Sequence, residues 1–161
     1  MKKGLMTVTR ILKWAALVIV LLLILIQFIP INRSNPPVTQ EVKWDSPATK
    51  ALAQRACFDC HSNESTWPWY SHVAPISFFV ANHVEEGRSR LNFSTWDQPN
   101  TDLEEVVRSI KNGSMPLESY LWMHPDAKLT QSEKDALIAG LTATMQQDPP
   151  IPQPERGRER D

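Results

Sequence analysis

The two cysteines of this 161-residue chain stand three positions apart, in Cys57-Phe58-Asp59-Cys60-His61, and there is no third to pair with either. That spacing constrains the fold more than any other feature. A disulfide here would close too small a loop to stabilise a domain. A structural zinc site needs four ligands, and a second Cys/His knuckle is missing. A thioredoxin-type redox pair wants a preceding strand in a βαβ context, which the flanking residues do not supply. Cys-x-x-Cys-His is, however, the attachment sequence of a c-type haem. Two thiols one helical turn apart reach two vinyl groups of one porphyrin and become thioethers, and the next residue lies under the iron. The sequence therefore predicts one covalently attached haem c held by Cys57, Cys60 and His61, with His61 as an axial metal ligand. The other ring nitrogen of such a histidine usually donates to a backbone carbonyl, which fixes the tautomer.

The N-terminus reads as a membrane anchor. Lys2, Lys3, Arg10 and Lys13 precede an apolar run from Trp14 to Ile31 that only Gln27 and Pro30 interrupt. Eighteen residues at about 1.5 Å each make a helix of roughly 27 Å, close to the hydrocarbon thickness of a bilayer. A cleaved secretory signal would carry small residues before its cut site, and Gln27-Phe28-Ile29-Pro30-Ile31 has none. Four basic residues before the run against Arg33 after it put residues 1–13 in the cytoplasm and everything after residue 31 outside the inner membrane, on the periplasmic side. Covalent haem attachment in bacteria belongs to that same compartment, where free thiols would otherwise oxidise.

Beyond the span at 14–31, residues 32–43 contain Pro36-Pro37 and no apolar periodicity, which predicts an extended linker. Residues 147–161, with four prolines followed by a mixed-charge run, predict a disordered tail. Residues 44–146 remain as one small domain with a single core. The five basic residues up to Arg33 hide its charge: from Glu41 onward twelve basic residues face eighteen acidic ones. An acidic domain suits a basic or metal-rich partner and argues against nucleic acid.

Within the domain, helix signals dominate. Ser46-Pro47 supplies a cap and first helical residue for a helix over 48–56 that runs into Cys57. Thr101-Asp102-Leu103-Glu104 and Thr130-Gln131-Ser132-Glu133 are capping-box patterns. The first opens a helix with Leu103, Val106, Val107 and Ile110 on one face, stopped by Asn112-Gly113; the second opens one with Leu137, Ile138, Leu141 and Met145. A further helix is expected from Pro75 to Glu86, ended by Gly87. No stretch alternates long enough for a trusted strand, so the fold class is all-α.

This order of parts resembles a small monohaem cytochrome c, in which a first helix enters the haem motif and a last helix packs back on it. In such cytochromes a Gly-x-Met-Pro loop carries the sixth iron ligand, and Gly113-Ser114-Met115-Pro116 matches that loop. By this resemblance Met115 is a cofactor-binding residue and the second metal ligand; otherwise it is a core methionine, as most are. Met123 and Met145 are expected to be packing residues. His72, His83 and His124 are the other candidates, with His124 the strongest rival. Where mitochondrial-type cytochromes pair a glycine on the first helix with an aromatic on the last, this chain has Ala51 and Ala53 on the first and Gly140-Leu141 on the last, so the small and large partners are exchanged or the helices cross differently.

A more specific pattern is spread across residues 44–146. It comprises Cys57-x-x-Cys60-His61-Ser62, Trp67-Pro68-Trp69-Tyr70-Ser71, Pro75, Glu86-Gly87-Arg88, Leu91-Asn92-Phe93-Ser94-x-Trp96, Gly113-x-Met115-Pro116, Tyr120, His124-Pro125-x-Ala127-x-Leu129 and Glu133. Together these resemble the bacterial haem-binding domain family of membrane-anchored or exported monohaem c-type proteins. The resemblance implies haem binding and an electron-transfer role with a redox partner that it does not name. Trp67, Trp69 and Tyr70 are candidates to wall the haem pocket, and Arg88 and Arg90 to pair with its propionates.

A membrane-tethered electron carrier is the leading expectation. A haem-based redox or gas sensor would need an easily vacated sixth position, and about thirteen residues before the membrane are too few for an output domain, so it would signal through a partner; an accessory haem subunit of a membrane complex is a further alternative. A dihaem peroxidase needs a second attachment motif. With five glycines and no evident Ser/His/Asp set, paired carboxylates or phosphate-cradling loop, the chain is expected not to be an enzyme.

Overall fold

The computed structural model describes residues 2–153. Among these, seven α-helices carry the fold. By contact the chain divides into two compact units, Met1–Arg33 with Trp67–Asn82, and Ser34–Thr66 with His83–Asp161.

The first unit is built on helix α1 (Lys2–Leu25), continued by a 3-10 turn at Ile26–Phe28. Its apolar part, Val8–Phe28, is long enough to cross a membrane. It starts earlier than the expected Trp14, because nothing before that residue breaks a helix. It ends before Ile31, because Ile29, which precedes Pro30, is forced out of the helical region to φ −72°, ψ 119°. The second part of this unit contains a 3-10 turn at Trp69–His72.

The second unit holds α2 (Pro47–Ala56), α3 (Phe58–His61), α5 (Leu103–Lys111), α6 (Glu118–Leu121) and α7 (Gln131–Gln147). Helix α4 (Ile76–Arg90) starts in the first unit and ends in the second. The caps follow the sequence closely. Ser46 accepts from Thr49 N at α2, and Thr130 with Glu133 forms a complete capping box at α7. Helix α5 differs by one residue: Asp102 is its cap, accepting from Glu105 N, while Thr101 is drawn away by the Arg90 carbonyl, which takes both its backbone N–H and its hydroxyl.

The core of this unit joins Ala53 and Phe58 to Phe93, Trp96, Val106, Ile110, Leu137, Leu141 and Met145, with Leu103 and Ile138 partly buried against it; Val107, expected on the same face of α5, is not part of it. Helices α2 and α7 cross at Gly140, where an added Cβ would lie 2.0 Å from Thr49 Oγ1 and 2.9 Å from its Cβ. The small residue of the crossing is thus on the last helix, and it faces Thr49 rather than Ala51 or Ala53. Arg55 pairs with Glu133 across the same two helices. Met123, expected to pack, is 55% exposed.

Two flanking segments depart from expectation. The 32–43 stretch is extended but does not act as a free linker: Thr39 and Gln40 donate to the Ser94 carbonyl, Val42 to that of Phe93, and Val42 is buried. The 147–161 tail is not disordered as far as Gln153. Asp148 takes the Trp96 indole N–H on its carbonyl and Lys43 N–H on its carboxylate, Ile151–Pro152 (β2) pairs in parallel with Pro99–Asn100 (β1), and Gln153 donates to the Ser89 and Arg90 carbonyls. Long-range backbone partners, invisible to composition, order both segments; residues 154–161 lie outside the described residues.

Gly140→Ala is expected to destabilise the domain by about 1–3 kcal/mol, although alanine is the better helix former. In urea unfolding the pair Thr49→Ala and Gly140→Ala should cost less than the sum of its single variants, the coupling expected of residues in contact.

Candidate haem site

The residues of the Cys-x-x-Cys-His stretch form a single turn. Cys57 closes α2 by donating to the Ala53 carbonyl, and its own carbonyl accepts from Cys60 N at 3.1 Å and His61 N at 2.9 Å. Both cysteines are thiols. Burial pushes Cys57 up to about 12, with Cys60 adding to it, and burial with neighbouring Asp59 pushes Cys60 up to about 11. Thiols held neutral so far above their ordinary value are poor at disulfide exchange, which needs the thiolate.

His61 is oriented by the end of α4. Its Nδ1 lies 3.1 Å from the Gly87 carbonyl and 3.0 Å from the Leu91 carbonyl. Two acceptors require a donor between them, so Nδ1 carries the hydrogen and Nε2 keeps its lone pair. Burial lowers the His61 pKa against the opposing pull of the two carbonyls, which favours the neutral ring. A neutral imidazole with Nδ1–H on a backbone carbonyl is the ligand form that metal-binding histidines adopt.

Gly87 permits this approach. A Cβ at this position would come within 2.4 Å of the Cys60 carbonyl oxygen and 3.1 Å of its Cβ. The expected stop at Gly87 is therefore corrected: α4 runs on to Arg90, because the glycine serves helix packing rather than termination.

Behind the attachment turn, a polar web holds loop 91–100. Phe93 N donates to the His61 carbonyl, Asn92 Nδ2 to Asn63 Oδ1 and Asn92 N to Asn100 Oδ1. All three asparagines are buried and bonded. Asp59 receives the Tyr120 hydroxyl at 2.7 Å and Thr66 N–H at 2.9 Å. The asparagine web and the Asp59–Tyr120 bond were not foreseen in these roles, although Asn92 and Tyr120 stood in the family pattern.

The Met115 loop is fixed separately. Gly113 has φ +76°, the left-handed turn that ends α5, and Met115 N donates to the Ser109 carbonyl. The Met115–Pro116 peptide is cis.

Two cavities, of about 200 Å³ and about 160 Å³, meet here and share Ala56, Cys57, His61, Arg90, Met115 and Pro116 as wall. The first is otherwise mainly apolar, lined by Leu91, Phe93, Val106, Ile110, Leu137 and Leu141 among others. The second carries Asp59, Cys60, His83, Glu86 and Tyr120. An apolar slot with a polar end suits a flat macrocycle bearing acidic substituents. The chemistry of the donor set fits as well: two thiols, a neutral imidazole and a thioether line the same space. Cys57, Cys60, His61 and Met115 are thus brought together and could hold a haem.

Other candidates fall elsewhere. The His124 ring stacks on Tyr120 with Nδ1 at 3.0 Å from its carbonyl, and His124 is not in either wall. His83 lines the second cavity. Trp67, Trp69 and Tyr70 belong to the other compact unit and line neither cavity. Arg88 is committed to the Ser62 and Ser34 carbonyls, Asn35 Oδ1 and Ser65 Oγ, which leaves Arg90 as the arginine of the cavity wall.

The chain matches the haem-binding domain family over residues 21–143. It belongs to that family. Haem is therefore its cofactor, and the site above is the place the structure offers for it. The match begins inside α1 and takes in the 32–43 segment, in keeping with the way that segment is bonded into the fold. No curated protein and no solved structure matches the chain.

Gly87→Ala should lower the midpoint of thermal unfolding even though alanine gains about 1 kcal/mol of helix propensity, because the Cys60 carbonyl cannot yield as a flexible side chain can. It should also weaken haem retention by moving both carbonyls off His61, measured as haem released in a competition with apomyoglobin for the non-covalently loaded Cys57→Ala/Cys60→Ala background.

Proposed function

We propose that this chain is a membrane-anchored electron carrier with one c-type haem, and not an enzyme. The observation that carries the proposal is the shared wall of the two cavities, where Cys57, His61 and Met115 meet. Cys57 and Cys60 would hold the haem by thioethers; forming each one would exchange an S–H bond for an S–C bond at a vinyl group, with the hydrogen on the adjacent carbon, so that no oxidant would be consumed. His61 would hold the iron through Nε2, its ring kept in place by the Gly87 and Leu91 carbonyls.

Met115, on its constrained loop, would be the other residue to hold the iron, in preference to His124, whose Nδ1 and ring face are engaged with Tyr120. When bound, the haem supplies a one-electron ferric/ferrous couple. The apolar wall from Phe93 to Leu141 excludes water and favours the less charged ferrous state, as thioether ligation does. Arg90 offsets the charge of the propionates. The Val8–Phe28 helix tethers the carrier to the inner membrane with its N-terminus in the cytoplasm, and the acidic domain meets a basic redox partner on the periplasmic side.

Mass spectrometry of the denatured full chain, matured in a host competent for haem attachment, should give the polypeptide plus one haem. Loss of either cysteine should leave a single thioether, and loss of both should leave none; an unmodified wild-type chain would overturn the proposal. Met115→Ala should abolish the weak far-red band of thioether-ligated ferric haem and open the ferrous protein to CO, whereas Met115→His should lower the reduction potential. An unchanged spectrum in Met115→Ala would remove Met115 from the role.

A further inference from the structure

Residues 67–82, Trp-Pro-Trp-Tyr-Ser-His-Val-Ala-Pro-Ile-Ser-Phe-Phe-Val-Ala-Asn, contain no Asp, Glu, Lys or Arg. In a water-facing surface segment of this length such a composition is unusual, as about a quarter of residues are charged in ordinary domains. Its large apolar side chains are nonetheless exposed: Trp69 at 73%, Val73 at 44%, Ile76 at 49% and Phe79 at 51%. Ile76 and Phe79, three apart on α4, share a helix face.

The same segment is bonded to the end of the apolar helix. The Gln27 side chain donates to the Ala74 carbonyl at 3.0 Å and accepts from the Ala74 N–H at 2.9 Å, so one amide is paired with both backbone polar groups of one residue. Arg33 Nη1 adds a bond to the Ser71 carbonyl at 3.3 Å. Gln27 is the penultimate residue of the Val8–Phe28 span. A span of 21 residues rises about 31 Å and so matches a hydrocarbon core of about 30 Å, which sets Gln27, and with it Ala74, at the boundary between acyl chains and headgroups. Trp69, Val73, Ile76 and Phe79 all lie within five residues of Ala74. Trp and Tyr are enriched at that depth, where an apolar ring with a polar tip suits both sides of the boundary.

We propose that Trp67–Asn82 is a second membrane contact, an interfacial element whose Trp69, Val73, Ile76 and Phe79 enter the leaflet at the C-terminal end of the anchor. It rests on the anchor spanning the bilayer. Its consequence is that the compact unit holding the anchor meets the membrane over a patch, not at a single helix exit.

The test is photo-crosslinking in membranes of the producing cell, with p-benzoylphenylalanine introduced into the full chain one position at a time. The sites are Trp69 and Ile76, both exposed, with Leu22 inside the span as reference. The expected result is a phospholipid adduct, read by mass spectrometry, at all three. Lipid adducts at Leu22 alone would overturn the interfacial contact and leave the anchor standing. Protein adducts at Trp69 and Ile76 would assign the face to a partner and overturn it equally. No lipid adduct at any position, Leu22 included, would remove the anchor and the inference with it.

Discussion

One close contact governs the second compact unit: the meeting of α4 with the Cys57–His61 turn at Gly87. Without a Cβ there, the helix backbone comes near enough to the Cys60 carbonyl for its C-terminal carbonyls to reach His61. Helix ends leave carbonyls without intrahelical partners and carry a partial negative charge. The Leu91 carbonyl just past the end of α4 is therefore well placed to accept an N–H, while the Gly87 carbonyl serves both Leu91 N and His61 Nδ1. A helix terminus that would otherwise need water finds a partner in the histidine. The half-buried histidine is held in the tautomer that leaves the lone pair on Nε2.

From that contact the neighbouring parts follow. The His61 carbonyl accepts from Phe93 N, and Phe93 stacks between Phe58 and Trp96, so the motif turn, the following loop and the core are joined through one short run. Arg88, one residue beyond Gly87, ties Ser34 and Asn35 to Ser62 and Ser65. A helix that drifted from the turn would thus loosen the docked 32–43 segment as well as His61. Burial lowers the Arg88 pKa, and four acceptors offset its partial desolvation.

What could be read from the sequence was local. Ser46, Thr130 and the apolar faces of α5 and α7 signal their structure within a few residues, and the attachment motif carries its chemistry in five. What escaped was set by partners distant in the chain. Gly87 looked like a helix stop because glycine is a poor helix former; the reason for it is Cys60, on another element. Thr101 looked like a cap until the Arg90 carbonyl claimed it, and the proline-rich stretch after Gln147 looked unstructured until Pro99 and Asn100 supplied a backbone to pair with. Arg88 and Arg90 were indistinguishable as letters, yet one is a clip and the other a wall of the cavity.

The composition of 67–82 illustrates the same limit from the other side. As a sequence, its aromatics suited a cofactor pocket, since large rings beside an attachment motif have an obvious use there. The structure gives those rings to a different unit and bonds their segment to Gln27 and Arg33. Gln27 had counted only as a flaw in an apolar run. A glutamine at the edge of a span is costly in hydrocarbon unless its amide is paired, and pairing it with the backbone N–H and carbonyl of Ala74 removes that cost while fixing an uncharged, aromatic-rich segment at the same level. The interruption in the anchor and the missing charges of a segment some forty residues later are then two halves of one arrangement.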